Sequence, residues 1–385
     1  MTICISPKTV LTRPWAAGHA WVNLNWALGL QANGYKVIWM EPMPQKEVAG
    51  GVDEAVDLVR GLRNKFDEVG LEAEIALDLE SDIHDWLQPV RERLGAMTLP
   101  VEAAYEQSEL LVNLDYRLPQ KTVDLFKKSA LLDIDPGLLQ LWVAGGHINL
   151  AAHRNYFSIG ETVGRPDALF PDCDRRWHYT PPALFLPQWP NVAIQEGSYS
   201  TISGWWSGWL EAPGNSYENS KRIAFQPYFD LPSRVNVELE LALAMANNTQ
   251  DVADCSLLKR KGWRVRSALE VSSELDEYRS YIQRSRGEFS CARPSCWKLQ
   301  NAWISDRTLC YLASGKPAVV QDTGPSRILP RSEGLLRFAD IDEAARCLED
   351  AESDYERHCR AARALAAEHF DAQKVAKNLL ETALT

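Results

Sequence analysis

Apolar and polar positions switch between two periods along the first third of the chain. Thr2–Ser6 is a short apolar run of strand length. Residues 18–33 follow with helical character and stop at Gly34, a residue suited to the left-handed cap of a helix. Residues 36–40 (KVIWM) read as a buried strand closed by Glu41-Pro42. The same reading gives a helix over 52–69, a strand over 72–77 and a helix over 81–94 interrupted near Pro89. Two further strands fall at 109–114 and 130–134. Strands alternating with helices in this way predict a parallel sheet with crossover helices.

The pattern breaks over residues 181–220, which are rich in Pro, Gly, Ser and Trp and include SGWWSGW at 203–209. This stretch reads as the connection between domains, with the tryptophans packed at the domain interface. Alternation resumes at Lys221. RIAF reads as a strand, and Leu231-Pro232-Ser233 opens a helix running to about Met245, with proline tolerated in its first turn. A helix over 272–285 and a short strand in GEFSCA come next. Then follow a helix from Ser305, a strand over 318–321, a strand over 334–338, and helices over 340–352, 354–370 and 371–384.

The run SDRTLCYLASGKPAVVQDTG, residues 305–324, carries the chemistry. Ser305 is a good N-cap, and Asp306 suits the positive end of a helix. Leu309, Leu312 and Ala313 give the buried face, Gly315 ends the helix and Pro317 forbids its continuation. A ten-residue helix and the strand after it cover similar lengths, so the helix start and the strand end return to one edge of the sheet. That edge is where open α/β sheets bind ligands. The free N–H groups of 305–308 point there, with Arg307 beside them as a full positive charge, suited to a diphosphate. Asp322 and Thr323, followed by Gly324, stand opposite and suit hydroxyl groups.

Composition bounds these readings. A chain of 385 residues fits two domains. Its net charge of −11 argues against a nucleic-acid partner, which needs a basic face. Eight scattered cysteines without a CxxC pair read as reduced thiols in a cytoplasmic protein. The N-terminal residues carry no leader-like apolar run, and no stretch is long enough to span a membrane. No GxGxxG follows the first strand, and no HExxH occurs. Asp133-x-Asp135 ends a strand and runs into Pro-Gly, and it is not read as a metal site. AGGHINLAAH (144–153) has no strand before it and is weak as a phosphate loop. YFSIGETVGRPD (156–167) is placed near the cleft by its glycines, without a role.

WISDRTLCYLASGKPAVVQDTG resembles the donor-site helix and strand of GT-B glycosyltransferases. The following GLLRFADIDEAARCLEDAESDYERHCRAARALAAEHFD resembles the stretch after that site in family 4-type members. GHAWVNLNWALGLQANGYKV resembles the opening of family 1-type members. The resemblance implies an α/β, GT-B architecture: two Rossmann-like domains facing across a cleft. The expected division is 1–205 for the acceptor-side domain, 206–220 for a linker and 221–365 for the donor domain. Residues 366–385 form a helix returning toward the N-terminal domain.

The implied activity is metal-independent transfer of a sugar from a nucleotide-diphosphate-sugar, a co-substrate rather than a cofactor, to an acceptor. A nucleotide-sugar epimerase and a non-catalytic binding or scaffold protein on the same fold are the alternatives. The resemblance casts His19 as general base, oriented by Asp115 or Asp135. It casts Gly18, Arg286, Gly287, Glu288, Phe289, Ser305, Asp306, Arg307, Thr308, Asp322, Thr323 and Gly324 as donor-binding. Cys310 stands near the position of a ribose-binding glutamate. The acceptor is expected against Trp15, Trp21 or Trp26.

Overall fold

The first sheet of the computed structural model, which describes residues 1–78, 87–212, 215–246, 248–329 and 333–385, is parallel throughout. Its strands are β1 (Thr2–Ser6), β2 (Lys36–Pro42), β3 (Ala73–Asp78), β4 (Thr98–Leu99), β5 (Ser108–Asn113), β6 (Ser129–Asp133), β7 (Asn155–Ser158) and β8 (Trp177–Tyr179). They lie in the order β4-β3-β2-β1-β5-β6-β7-β8. Ile3, Cys4, Ile5, Ile38, Trp39 and Met40 are fully buried, because helices cover both faces and both sets of side chains point into a core. Glu41 is buried at the end of β2, where it accepts from the Leu11 N–H and Trp39 Nε1.

The second sheet contains β9 (Tyr199–Gly204), β12 (Leu239–Ala244), β13 (Arg264–Ser267), β14 (Gly287–Ser290), β15 (Ala318–Gln321) and β16 (Leu335–Phe338). Their order is β13-β12-β9-β14-β15-β16, again all parallel. A separate antiparallel hairpin, β10 (Trp209–Ala212) with β11 (Asn215–Glu218), leaves the sheet after β9. In each sheet the chain starts in the middle, winds one way and then crosses to the other side of its first strand. The crossing falls between β1 and β5 in one sheet and between β9 and β14 in the other. Such switch points leave a crevice at the carboxyl ends of the strands.

Several expectations are corrected. β9 lies inside the stretch read as a connection, so the second sheet begins before the expected boundary at residue 205. Its sequence, YSTISG, is polar yet buried, because Ser200 Oγ is satisfied by Tyr311 Oη at 2.7 Å and Ser285 Oγ at 2.6 Å. Residues 231–245 are one helical turn (Leu231–Arg234) followed by strand β12, not a helix. LELALA is buried between two neighbouring strands, and a run that is apolar on both faces loses the alternation that marks a strand. RIAF is helical, within Lys221–Phe225. The helix Thr249–Arg260, capped by Asn248, was not anticipated. For the helix expected over 81–94, the structure describes Leu87–Leu94; residues 79–86 lie outside the described residues.

The last helix, Ala372–Ala383, packs on the first, Ala17–Ala32. Asn33 Nδ2 donates to the Gln373 carbonyl at 2.8 Å, and Leu184 N donates to the Phe370 carbonyl at 2.8 Å. Gly29 makes the approach possible: a Cβ there would stand 2.5 Å from the Ala372 carbonyl oxygen. Gly29→Ala should therefore destabilise the fold, although alanine is the better helix former. Overpacking of this kind costs about 1–3 kcal/mol. Chemical denaturation checks it; a variant as stable as the parent would mean that the two helices do not need this contact.

Candidate active-site cleft

β9 and β14 pair only through Tyr199 with Gly287 and Ser200 with Glu288. Beyond that point they part, as switch-point strands do. Arg307 fills the opening. Its Nε donates to Glu288 Oε1 at 2.8 Å, one terminal nitrogen to the Ile202 carbonyl at 2.8 Å, and the other to Ser290 Oγ at 2.7 Å. Glu288 is fully buried, and the Arg307 side chain is 12% exposed. The guanidinium, expected to reach a diphosphate, is instead an internal brace, and Glu288, expected to meet sugar hydroxyls, is its counter-ion. A buried carboxylate in this position requires a partner, and the planar fork of arginine matches it.

The helix Asp306–Ala313 starts from this brace. Ser305 has extended backbone angles (φ −72°, ψ 136°) and no side chain caps the helix start. Thr308 is 1% exposed and packs inward. Asp306 Oδ1 is buried without a partner, and burial pushes the carboxyl up to about 7, assisted by the negative charge of Asp135. Asp135 lies just beyond β6, so this helix start faces the first domain.

The two domains meet through segments that follow strand ends. Asn301 Nδ2 donates to the Pro136 carbonyl at 2.8 Å, and Thr162 Oγ1 to the Gln300 carbonyl at 3.2 Å. Glu161, 3% exposed, accepts from the Arg327 N–H at 2.8 Å and from Ser326 Oγ, and it pairs with Arg165. The stretch 156–167 thus clamps the loop after β15.

Gly18 lies against the Tyr278 ring, where a Cβ would come within 2.9 Å. It serves contact between domains rather than donor approach. His19, at the start of the first helix, is held through Nε2 by the Lys8 carbonyl. That bond makes Nε2 the donor and leaves the Nδ1 lone pair available. Among the described residues Nδ1 has no partner. Burial lowers the imidazole below its ordinary value, and Lys8 and Arg13 add to this against the pull of the Lys8 carbonyl and Asp135. Asp135 acts on the ring through its charge. Asp135 sits beside it, paired with Lys8 at 3.6 Å and accepting from Tyr116 Oη at 3.2 Å. Asp115 turns its carboxylate to the Arg117 N–H.

Other expected residues lie elsewhere. Arg286 is at the entry of β14, the edge away from the cleft, where it forms a two-point pair with Glu352, both bonds 2.9 Å, over the Tyr355 ring. Gly287 admits the Tyr199 ring and the Pro317 carbonyl, leaving no room for a ligand. Phe289 is core, stacked on Phe338 at 5.2 Å. Trp21 and Trp26 are buried, whereas Trp15 is 55% exposed. Asp133 is buried among Gln140, Ser158 and Tyr116. Among the described residues no group of three or more His, Cys, Asp or Glu could hold a metal ion, and no helix is long and apolar enough to cross a membrane.

Asp322 and Gly324 line a cavity of about 570 Å³ with Trp297, Gln300 and Ser326, at the carboxyl ends of β15 and β16. Thr323 instead donates to the Trp303 carbonyl at 2.6 Å. Lys221 was not anticipated. Its ammonium is buried against the Cys291 carbonyl at the end of β14, near Arg307 and Arg293, and burial brings it down to about 7. Its only sequence signal is a basic residue in a segment that reads as a strand.

The Arg307–Glu288 brace makes a stability prediction. Arg307→Met leaves Glu288 buried and unpaired, and should cost roughly 3–5 kcal/mol. Adding Glu288→Gln should restore a large part, as read from denaturation midpoints. An Arg307→Met protein as stable as the parent would contradict the brace.

No protein-family model matches this chain, and no curated protein resembles it in sequence. Solved structures do resemble it along its length. A glycosyltransferase from Rickettsia africae is 10% identical with a TM-score of 0.58, covering 99% of this chain and 97% of that one. HepE from Anabaena, in complex with UDP-glucose, is 10% identical with a TM-score of 0.56, covering 99% of each chain. AviGT4, a glycosyltransferase involved in avilamycin A biosynthesis, is 11% identical with a TM-score of 0.52, covering 100% and 97%. At such identities the likeness is one of architecture. Two parallel α/β sheets that meet across the carboxyl ends of their strands, in the same arrangement as these enzymes, give this chain the GT-B glycosyltransferase fold.

Proposed function

We propose that the protein transfers a sugar from a nucleotide-diphosphate-sugar to an acceptor hydroxyl, without a metal ion. The observation that carries this reading is the facing of His19 and Asp135 by the start of the helix Asp306–Ala313 across the two switch points. The donor diphosphate lies at that helix start, where the backbone N–H groups and the helix dipole favour an anion. Lys221, near Arg307 and without a carboxylate partner among the described residues, supplies a cation. A diphosphate there would draw its proton equilibrium back toward the charged form. These groups meet the charge of the leaving diphosphate, so the reading calls for no metal. The cavity beside Asp322 and Trp297 has room for the nucleoside.

The acceptor oxygen attacks the anomeric carbon as the bond from that carbon to the diphosphate oxygen breaks. The acceptor proton passes to Nδ1 of His19, which is neutral at pH 7 because burial lowers its basicity. Attack from the face opposite the diphosphate inverts the anomeric centre. One observation favours a second reading, a binding protein without turnover: Cys310, at the position of the expected glutamate, is 2% exposed with its thiol turned to the Asp306 carbonyl.

His19→Ala should reduce transfer by about 10²–10⁴-fold and leave binding of a nucleoside diphosphate unchanged in calorimetry. The base works only when unprotonated, so the acid limb of kcat/KM should fall below the ordinary imidazole value of 6.5. Unchanged turnover in the variant would remove His19 from the mechanism. Binding of the diphosphate with no transfer to any acceptor would favour the binding-protein reading.

A further inference from the structure

A second polar cavity, of about 570 Å³, lies on the far side of the first domain. Its walls include Arg154, Tyr156, Asp174, Arg175, Arg176 and His178. Arg154 precedes β7, and Arg175 and Arg176 precede β8. These are the amino ends of parallel strands, so the cavity opens on the edge opposite the cleft. It is not part of the site described above, and the inference does not depend on the sugar-transfer reading.

Three arginines converge here on a chain of net charge −11. Among the described residues none of the three is paired with a side-chain carboxylate. Arg165, Arg222, Arg264, Arg286 and Arg307 each have one. Arg154 donates to the Thr385 carbonyl at 2.9 Å. Arg175 donates to the Cys173 carbonyl at 2.6 Å and lies over the Tyr156 ring, while its Nε is buried without a partner. Arg176 makes no recorded bond among the described residues.

The turn that presents them is strained. Cys173 and Asp174 both have positive φ, 58° and 55°, and two such non-glycine residues in succession are unfavourable. Side-chain bonds hold it: Asp172 Oδ1 accepts from the Asp174 N–H at 3.0 Å, Trp177 Nε1 donates to the Asp172 carbonyl at 2.9 Å, and Cys173 Sγ donates to the Gln140 carbonyl at 3.3 Å. A fixed turn carrying uncompensated guanidinium groups into a cavity is a preorganised anion receptor.

We propose that this cavity binds a phosphate-bearing ligand at a site separate from the cleft. A free phosphate compound and a phospholipid headgroup share that chemistry, and two arms separate them. The full chain is titrated with inorganic pyrophosphate, and it is floated with phosphatidylcholine vesicles with and without phosphatidic acid. Binding is expected in at least one arm, weakening as salt rises.

Arg176→Gln, at an exposed side chain, should weaken binding by about tenfold, the size of one lost charge-assisted bond. Asp174→Asn should strengthen it, because asparagine tolerates the left-handed backbone and the change removes the one acidic side chain among the described residues that line the cavity. A folding defect would not produce opposite signs. Binding in neither arm, or binding that both substitutions leave unchanged, overturns the proposal.

Discussion

A single buried guanidinium sets the geometry of the second domain. Where β9 and β14 separate, the missing inter-strand hydrogen bonds would leave the Ile202 carbonyl without a partner in a dry interior, and the Ser290 hydroxyl is free to accept from the same guanidinium. Arg307 supplies donors to both, and Glu288 neutralises it at 2.8 Å. The brace also anchors the first turn of the helix Asp306–Ala313, so the free N–H groups at its start are aimed by a fixed point rather than by a mobile loop. Balanced by Glu288, Arg307 leaves no uncompensated charge of its own in the crevice.

The second constraint is contact between the domains. Glu161, Thr162 and Pro136 of the first domain hold the loops after β14 and β15, and Gly18 admits the Tyr278 ring. This proximity gives the cleft its electrostatics. It places Asp135 near enough to Asp306 that the charge of Asp135 disfavours ionisation of the Asp306 carboxyl. The tautomer of His19 comes from the Lys8 carbonyl, so a backbone atom does the work expected of a carboxylate.

Much of the architecture was readable from periodicity. Strands of the KVIWM type and the helices near the C-terminus carry their environment in their own residues, because burial on two faces or on one stripe dictates composition. β9 did not: its serines are satisfied by Tyr311 and Ser285, partners distant in sequence. β12 failed for a related reason, since a strand covered on both faces has no polar face to show. At the site, the cap chemistry of Ser305 and Asp306 located the helix start. The direction of Arg307 was not readable, because a cation beside a helix end reads alike whether it faces a ligand or an internal carboxylate. Glu288, nineteen residues earlier, decides it, and only the parallel pairing of β14 brings it there. Lys221 was hidden because its helix is a single turn.

The most direct test is a structure of the protein with a nucleoside diphosphate bound. The account predicts the diphosphate at the backbone N–H groups of residues 305–308, with the Lys221 ammonium turned toward it and the Arg307–Glu288 pair unmoved. A diphosphate held by a displaced Arg307, or bound outside the cleft between the two sheets, would contradict it.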